Sequence, residues 1–134
     1  MEITEIREIL TKAAELRVPR FTQETGAANK AGELEDFMLA AAGARGDLEQ
    51  ARLELENAQA ALERRWDDLE GWEMFAGSKP SKDAVRRAKR RVDPTLGDAL
   101  DEGRRILDQI ARQVRRLEKD EATASRAYSL ITGS

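Results

Sequence analysis

The chain has 134 residues, enough for one small domain, and combines 40% apolar with 37% charged residues at a net charge of −3. It contains no cysteine and no histidine, which excludes disulfides, thiolate nucleophiles, imidazole acid–base catalysis and the usual zinc ligands. No window approaches about 18 consecutive apolar residues, and the acidic start lacks the features of a signal peptide. We therefore expect a cytoplasmic protein, in a host cell if a phage encodes it, with no metal, cofactor or membrane partner.

Residues 1–18 have the pattern of a short amphipathic helix. Apolar side chains recur there at three- and four-residue steps, at Ile3, Ile6, Leu10 and Ala13. Pro19 ends this helix, because proline disfavours the helical conformation of the residue before it. Thr22 is then a suitable N-cap for the next helix.

A heptad repeat predicts one long helix over residues 22–76. Every seventh position is apolar, at Ala27, Leu34, Ala41, Leu48, Leu55, Leu62, Leu69 and Ala76. The companion positions are small in the middle of the helix and aromatic at its ends, and only Arg65 interrupts them. So long a helix must bury this apolar row against another helix. That helix belongs to the same chain or to another copy, and the pattern is the same in both cases.

Residues 77–81, with the sequence GSKPS, form the clearest turn in the chain. Ser78 or Ser81 is a suitable cap for a short basic helix over residues 82–92. Asp93 as N-cap and Pro94 at the first helical position then start a C-terminal helix.

The C-terminal helix is predicted over residues 94–130 and carries a second heptad row, broken at Gly103 and Glu121. It is long enough to fold back along the first long helix. The predicted fold is therefore all-α: a long antiparallel helical hairpin or coiled coil with a short N-terminal helix, forming a single domain over residues 1–134. Apolar positions left over from the hairpin would drive self-association.

Charge is segregated along the chain. Between Glu33 and Glu73 there are 12 acidic and 4 basic residues, whereas between Lys79 and Lys119 there are 13 basic and 7 acidic residues. The densest part carries seven cations and one acid in thirteen residues; the cations are Lys79, Lys82, Arg86, Arg87, Lys89, Arg90 and Arg91. We call these seven residues the basic segment.

The sequence permits two interpretations of the basic segment. In one, it pairs with the acidic long helix, where each surface ion pair contributes about 0–1 kcal/mol. In the other, Val85, Ala88 and Val92 anchor a helix whose cations contact a phosphate backbone. The segment contains no aromatic residue for base stacking, so nucleic-acid binding should be independent of base sequence and strongly salt-dependent.

The remaining candidates do not indicate an enzyme. Neighbouring carboxylates on a helix point in different directions, Ser125 and Ser129 have no visible base, and no glycine-rich phosphate loop is present. The aromatic residues Trp66, Trp72 and Phe75 either close the end of the hairpin or form a surface for a partner.

The stretch from Val92 to Gly133 resembles the corresponding region of the recombination mediators of T-even bacteriophages and of shorter phage proteins similar to them. The shared features are a Val-Asp pair followed closely by Leu96, a long apolar-periodic helix, and the pair Ser125-Arg126 near its end. They follow a helical N-terminal half with an Ala-Ala-Asn triplet, here at residues 27–29.

The resemblance implies a small helical protein that forms a ring-like homo-oligomer through its C-terminal helix, binds single-stranded DNA and helps to load a strand-exchange recombinase. The residues expected to mediate oligomerisation are Leu96, Leu100, Leu107, Ile110, Val114, Leu117, Tyr128 and Ile131. The alternative is a structural or assembly coiled coil that binds other protein chains.

Overall fold

A computed structural model describes residues 1–20 and 27–133. These residues form four α-helices, one short 3-10 helix and no strand, in the order α1 (Ile3–Glu15), α2 (Ala27–Asp67), the 3-10 helix (Trp72–Phe75), α3 (Lys82–Val92) and α4 (Pro94–Thr132). Helices α2 and α4 pack against each other, which confirms the predicted all-α hairpin. The predicted cap Thr22 and the first residues of the predicted long helix lie outside the described residues. None of the described helices has the length and apolarity needed to cross a membrane.

The chain divides into two compact units. The first unit consists of Met1–Arg52 and Gln109–Ser134, and the second of Leu53–Asp108. Each unit therefore contains part of α2 and part of α4. The first unit also contains α1, and the second also contains the 3-10 helix and α3.

In the first unit, polar contacts fix the antiparallel arrangement of the two long helices. Arg45 forms an ion pair with Glu121, with Nη2 2.9 Å from Oε2, and the hydroxyl of Tyr128 donates a hydrogen bond of 2.7 Å to Glu35. This hydrogen bond and the negative charge of Glu35 raise the pKa of Tyr128. The apolar rows of both helices are buried, at Leu34, Phe37, Ala41, Leu48, Ala51, Ile110, Val114, Leu117 and Ala124.

Helix α1 belongs to the first unit and is held at its C-terminal end by a cation of α4. The guanidinium of Arg116 donates to the carbonyls of Ala13 and Leu16, at 2.6 and 3.0 Å, and also to Asp120. The Ala13 carbonyl also accepts a hydrogen bond of 3.2 Å from the Leu16 amide, and the end of a helix carries partial negative charge, so the guanidinium adds hydrogen bonds and positive charge where both are favourable. The predicted apolar positions Ile6, Leu10 and Ala13 are buried.

In the second unit a buried amide explains why the heptad row of α4 contains a glycine. Gln59 of α2 is 5% exposed, and its side-chain nitrogen donates to the Leu100 carbonyl at 3.0 Å. A Cβ at Gly103 would overlap the carboxamide of Gln59. The absence of a side chain at Gly103 therefore leaves room for the Gln59 carboxamide in an otherwise apolar contact between α2 and α4.

Most of the row predicted to mediate oligomerisation is buried within one chain. Leu96, Leu100, Ile110, Val114 and Leu117 are all at most 9% exposed. Leu107, Tyr128 and Ile131 are half-buried. The intact fold therefore offers little of this row to a second copy, and the hairpin itself is the physical reason, since α2 supplies the partner helix.

Helix α2 ends at Asp67, before the predicted end at residue 76. The heptad pattern continued through Leu69 and Ala76, but local chemistry stops the helix earlier. Asp67 and Asp68 place negative charge where the helix dipole is already negative, and Gly71 then adopts a left-handed conformation with φ of 86°. The 3-10 helix follows directly.

We predict that Gly103→Ala lowers the free energy of unfolding by about 1 kcal/mol. The new methyl group would displace the Gln59 carboxamide and leave it unpaired, which costs about 1–3 kcal/mol and exceeds the gain of about 1 kcal/mol from alanine in a helix. Urea unfolding measures the change. In a Gln59→Ala background the same substitution should instead stabilise the protein, and an equal loss in both backgrounds would contradict this account.

We also predict that Arg116→Met destabilises the protein by about 2 kcal/mol, because charge-assisted hydrogen bonds to the end of α1 are lost while the apolar stem is kept. Relative to the unchanged protein, the variant should show faster amide hydrogen exchange in α1, whereas exchange in α3 should stay the same. The neighbouring Arg115 is exposed, and Arg115→Met is the matched control with an effect within about 0.5 kcal/mol. Similar losses in the two variants would show that Arg116 does not hold α1.

Candidate nucleic-acid interface

Side-chain caps mark the N-terminus of α3 and the N-terminus of α4, which follows it directly. The Ser81 hydroxyl accepts a hydrogen bond of 3.1 Å from the Ala84 amide, and Asp93, which follows the helix, accepts one of 3.0 Å from the Leu96 amide at the start of α4. These contacts confirm the caps that the sequence predicts at Ser81 and Asp93. Ala88 is buried and Val85 half-buried, as the predicted anchoring face requires, but Val92 is exposed.

Three cations of the basic segment make contacts inside the second unit. The ammonium of Lys89 donates to the Trp66 carbonyl at 3.0 Å. Arg90 forms ion pairs with Asp98, at 2.7 Å, and with Asp101. The guanidinium carbon of Arg91 lies 4.4 Å from the centre of the Phe75 ring.

The acids that Arg90 contacts belong to α4 and not to the acidic helix α2. In the described part of the chain, no cation of α3 forms an ion pair with an acid of α2. The intramolecular interpretation therefore applies to Arg90, but with a different helix as the partner.

The other four cations are exposed. Lys79, Lys82, Arg86 and Arg87 form no ion pair or hydrogen bond with any residue that the structure describes. Lys82 and Arg86 are four residues apart, so they lie on the same side of α3, about 5–6 Å apart at Cβ. Arg87 and Arg91 form a second such pair.

Arg104 of α4 adds a further exposed cation next to these four, and it is not among the residues that the sequence predicts for the site. It is exposed and shares a small pocket of about 30 Å³ with Arg86 and Arg90. Trp66, Gly97, Leu100 and Asp101 also line this pocket. The heptad pattern gave only the weak signal that residue 104 lies next to the apolar row and not within it. We define the basic surface as Lys79, Lys82, Arg86, Arg87 and Arg104.

Helix α3 contains no aromatic residue, but aromatic side chains from the end of α2 and from the 3-10 helix lie against its cations. The Lys89 ammonium lies 5.9 Å from the centre of the Trp66 ring and 5.7 Å from that of Trp72, distances typical of cation–π contacts. Both indoles are half-buried, whereas Phe75 is exposed. The two indoles therefore close the end of the hairpin, and Phe75 remains at the surface.

The chemistry available at this surface is that of charge recognition. Arginine forms bidentate contacts with phosphate oxygens, and lysine acts as a point charge. Across the described residues, no group of three or more carboxylates is placed to hold a metal ion.

Comparisons with known proteins add no assignment. No family model, curated protein or solved structure matches this chain.

We predict that Arg90→Gln and Arg87→Gln differ in their effect on stability. Arg90→Gln removes two ion pairs and should lower the free energy of unfolding by about 1 kcal/mol, since exposed pairs contribute about 0.2–1 kcal/mol each. Arg87→Gln removes an exposed side chain and should stay within about 0.5 kcal/mol. Urea unfolding measures the free energy of unfolding of both variants. A larger decrease for Arg87→Gln than for Arg90→Gln would contradict the assignment of Arg90 as structural and Arg87 as exposed.

Proposed function

We propose that this protein is a non-enzymatic accessory protein that binds single-stranded DNA through the basic surface. The observation that carries the proposal is the set of four exposed cations on and before α3 that have no partner in the described chain, joined by Arg104. The chain has 26 acidic residues, yet its fold leaves these cations unneutralised. Such a cluster attracts a polyanion.

The resemblance to phage recombination mediators supplies the setting of the proposal. A mediator holds single-stranded DNA and presents it to a strand-exchange recombinase, a task that needs phosphate contacts and no catalytic group. Because much of the expected oligomerisation row is buried in the hairpin, we assign DNA binding to the single chain and not to a ring. The alternative is an assembly protein whose basic surface binds an acidic protein.

We expect a labelled oligonucleotide of about 20 thymidines to bind with an affinity that falls linearly on a logarithmic salt scale, as fluorescence anisotropy measures. Each phosphate contact contributes about 0.7 to the slope for single strands. The double variant Arg86→Gln plus Arg87→Gln should bind on the order of tenfold more weakly and lower the magnitude of the slope by about 1.4.

The matched control is Arg112→Gln plus Arg115→Gln, which removes the same charge from exposed positions of α4 in the first unit. It should bind as the unchanged protein does, and circular dichroism should report equal helix content in both variants. Equal loss in the two double variants would overturn the assignment to this surface. Absence of binding at low salt would overturn the proposed function and favour the assembly protein.

A further inference from the structure

The exposed aromatic side chain beside α3 is Phe75, the last residue of the 3-10 helix. Phe75 is 45% exposed and its neighbour Met74 is 84% exposed. Phe75 is not needed to close the hairpin end, since Trp66 and Trp72 lie against Lys89 and are half-buried. Part of the Phe75 ring is therefore open to a binding partner.

A cation is held against the Phe75 ring. The guanidinium carbon of Arg91 lies 4.4 Å from the ring centre, within the range of a cation–π contact. Arg91 is four residues from Arg87, so both lie on the same side of α3. Phe75 is thus connected to the basic surface through one turn of helix.

An exposed aromatic ring next to a row of cations is the combination with which proteins bind single-stranded nucleic acids. The cations follow the phosphates and the ring stacks on a base. A double helix keeps its bases stacked inside, so it offers phosphates but no base to such a ring. The guanidinium of Arg91 against the ring, with Arg87 one helical turn away, favours an anionic partner such as a nucleic acid over a second apolar surface.

We propose that Phe75, with Arg91 against its ring, stacks on a base of bound single-stranded DNA, and that this contact makes the protein prefer single strands to duplexes. This inference rests on the proposed function and adds a base contact to a surface that the sequence alone assigned to phosphates. The stacking is independent of base identity, since every base has a π face.

The experiment compares two labelled oligonucleotides of equal length, one of thymidines and one whose sugars carry no base. Both present the same phosphates. The unchanged protein should bind the thymidine strand on the order of tenfold more tightly. Phe75→Ala should lower that affinity to the value for the abasic strand, leave abasic binding unchanged and keep the same salt slope.

Two variants separate stacking from apolar bulk. Phe75→Leu keeps an apolar side chain but has no π face, so it should lose most of the preference while circular dichroism stays unchanged. Leu53→Ala removes another exposed apolar side chain of the same unit and should keep the full preference.

The outcomes distinguish this inference from the function on which it rests. Tight but equal binding of the two strands by the unchanged protein would overturn the base contact and retain the phosphate surface. A full preference in Phe75→Ala would also overturn it, and a change in mass by light scattering in that variant would then assign Phe75 to self-association. Binding of neither strand would overturn the proposed function itself.

Discussion

The ammonium group of Lys89 is the contact around which the second unit is organised. It donates to the Trp66 carbonyl, in the last turn of α2, and lies close to the rings of Trp66 and Trp72. The Trp66 carbonyl also accepts a hydrogen bond of 3.3 Å from the Leu69 amide, so the ammonium adds a second hydrogen bond there and places positive charge at the partially negative end of the helix. Lys89 thus joins the end of α2, the 3-10 helix and α3, and together with the buried Ala88 it sets which side of α3 is covered.

In the first unit, Arg116 likewise places a cation at the end of a helix, because it donates to the carbonyls of Ala13 and Leu16 at the end of α1. Arg90 has a related role toward Asp98 and Asp101. Cations in this chain therefore fall into two groups that composition does not separate: those that hold helices in place and those that face solvent. The distinction bears on the proposed function, because a cation already engaged with a carbonyl or a carboxylate is less available to a phosphate.

Much of the fold follows from sequence periodicity and capping, because both act over a few neighbouring residues. The seven-residue repeat and the caps Ser81 and Asp93 are such signals. The predicted end of α2 at residue 76 was wrong, because the seven-residue repeat continues through Leu69 whereas Gly71 and the acids before it end the helix at Asp67. The glycine at residue 103 looked like a defect of the repeat; its cause, the amide of Gln59, lies on another helix and leaves no mark in the local pattern. Contacts between distant residues likewise decided which cations stayed exposed.

A net charge of −3 does not oppose binding of DNA, because charge acts locally in salt solution. Exposed charges more than about 8 Å apart are largely screened at physiological ionic strength, so the charges that matter to a ligand are neighbours on one side of a helix, such as Lys82 and Arg86. Neighbouring cations at this spacing repel each other, and an anion that contacts several of them relieves the repulsion at every one. A small anion meets one or two of these groups, whereas a polymer of phosphates meets the whole row. The arrangement therefore suits a polyanion better than a nucleotide or a free phosphate, as the proposed function requires, and the proposed contact of Phe75 adds the requirement that the bases of that polymer be accessible.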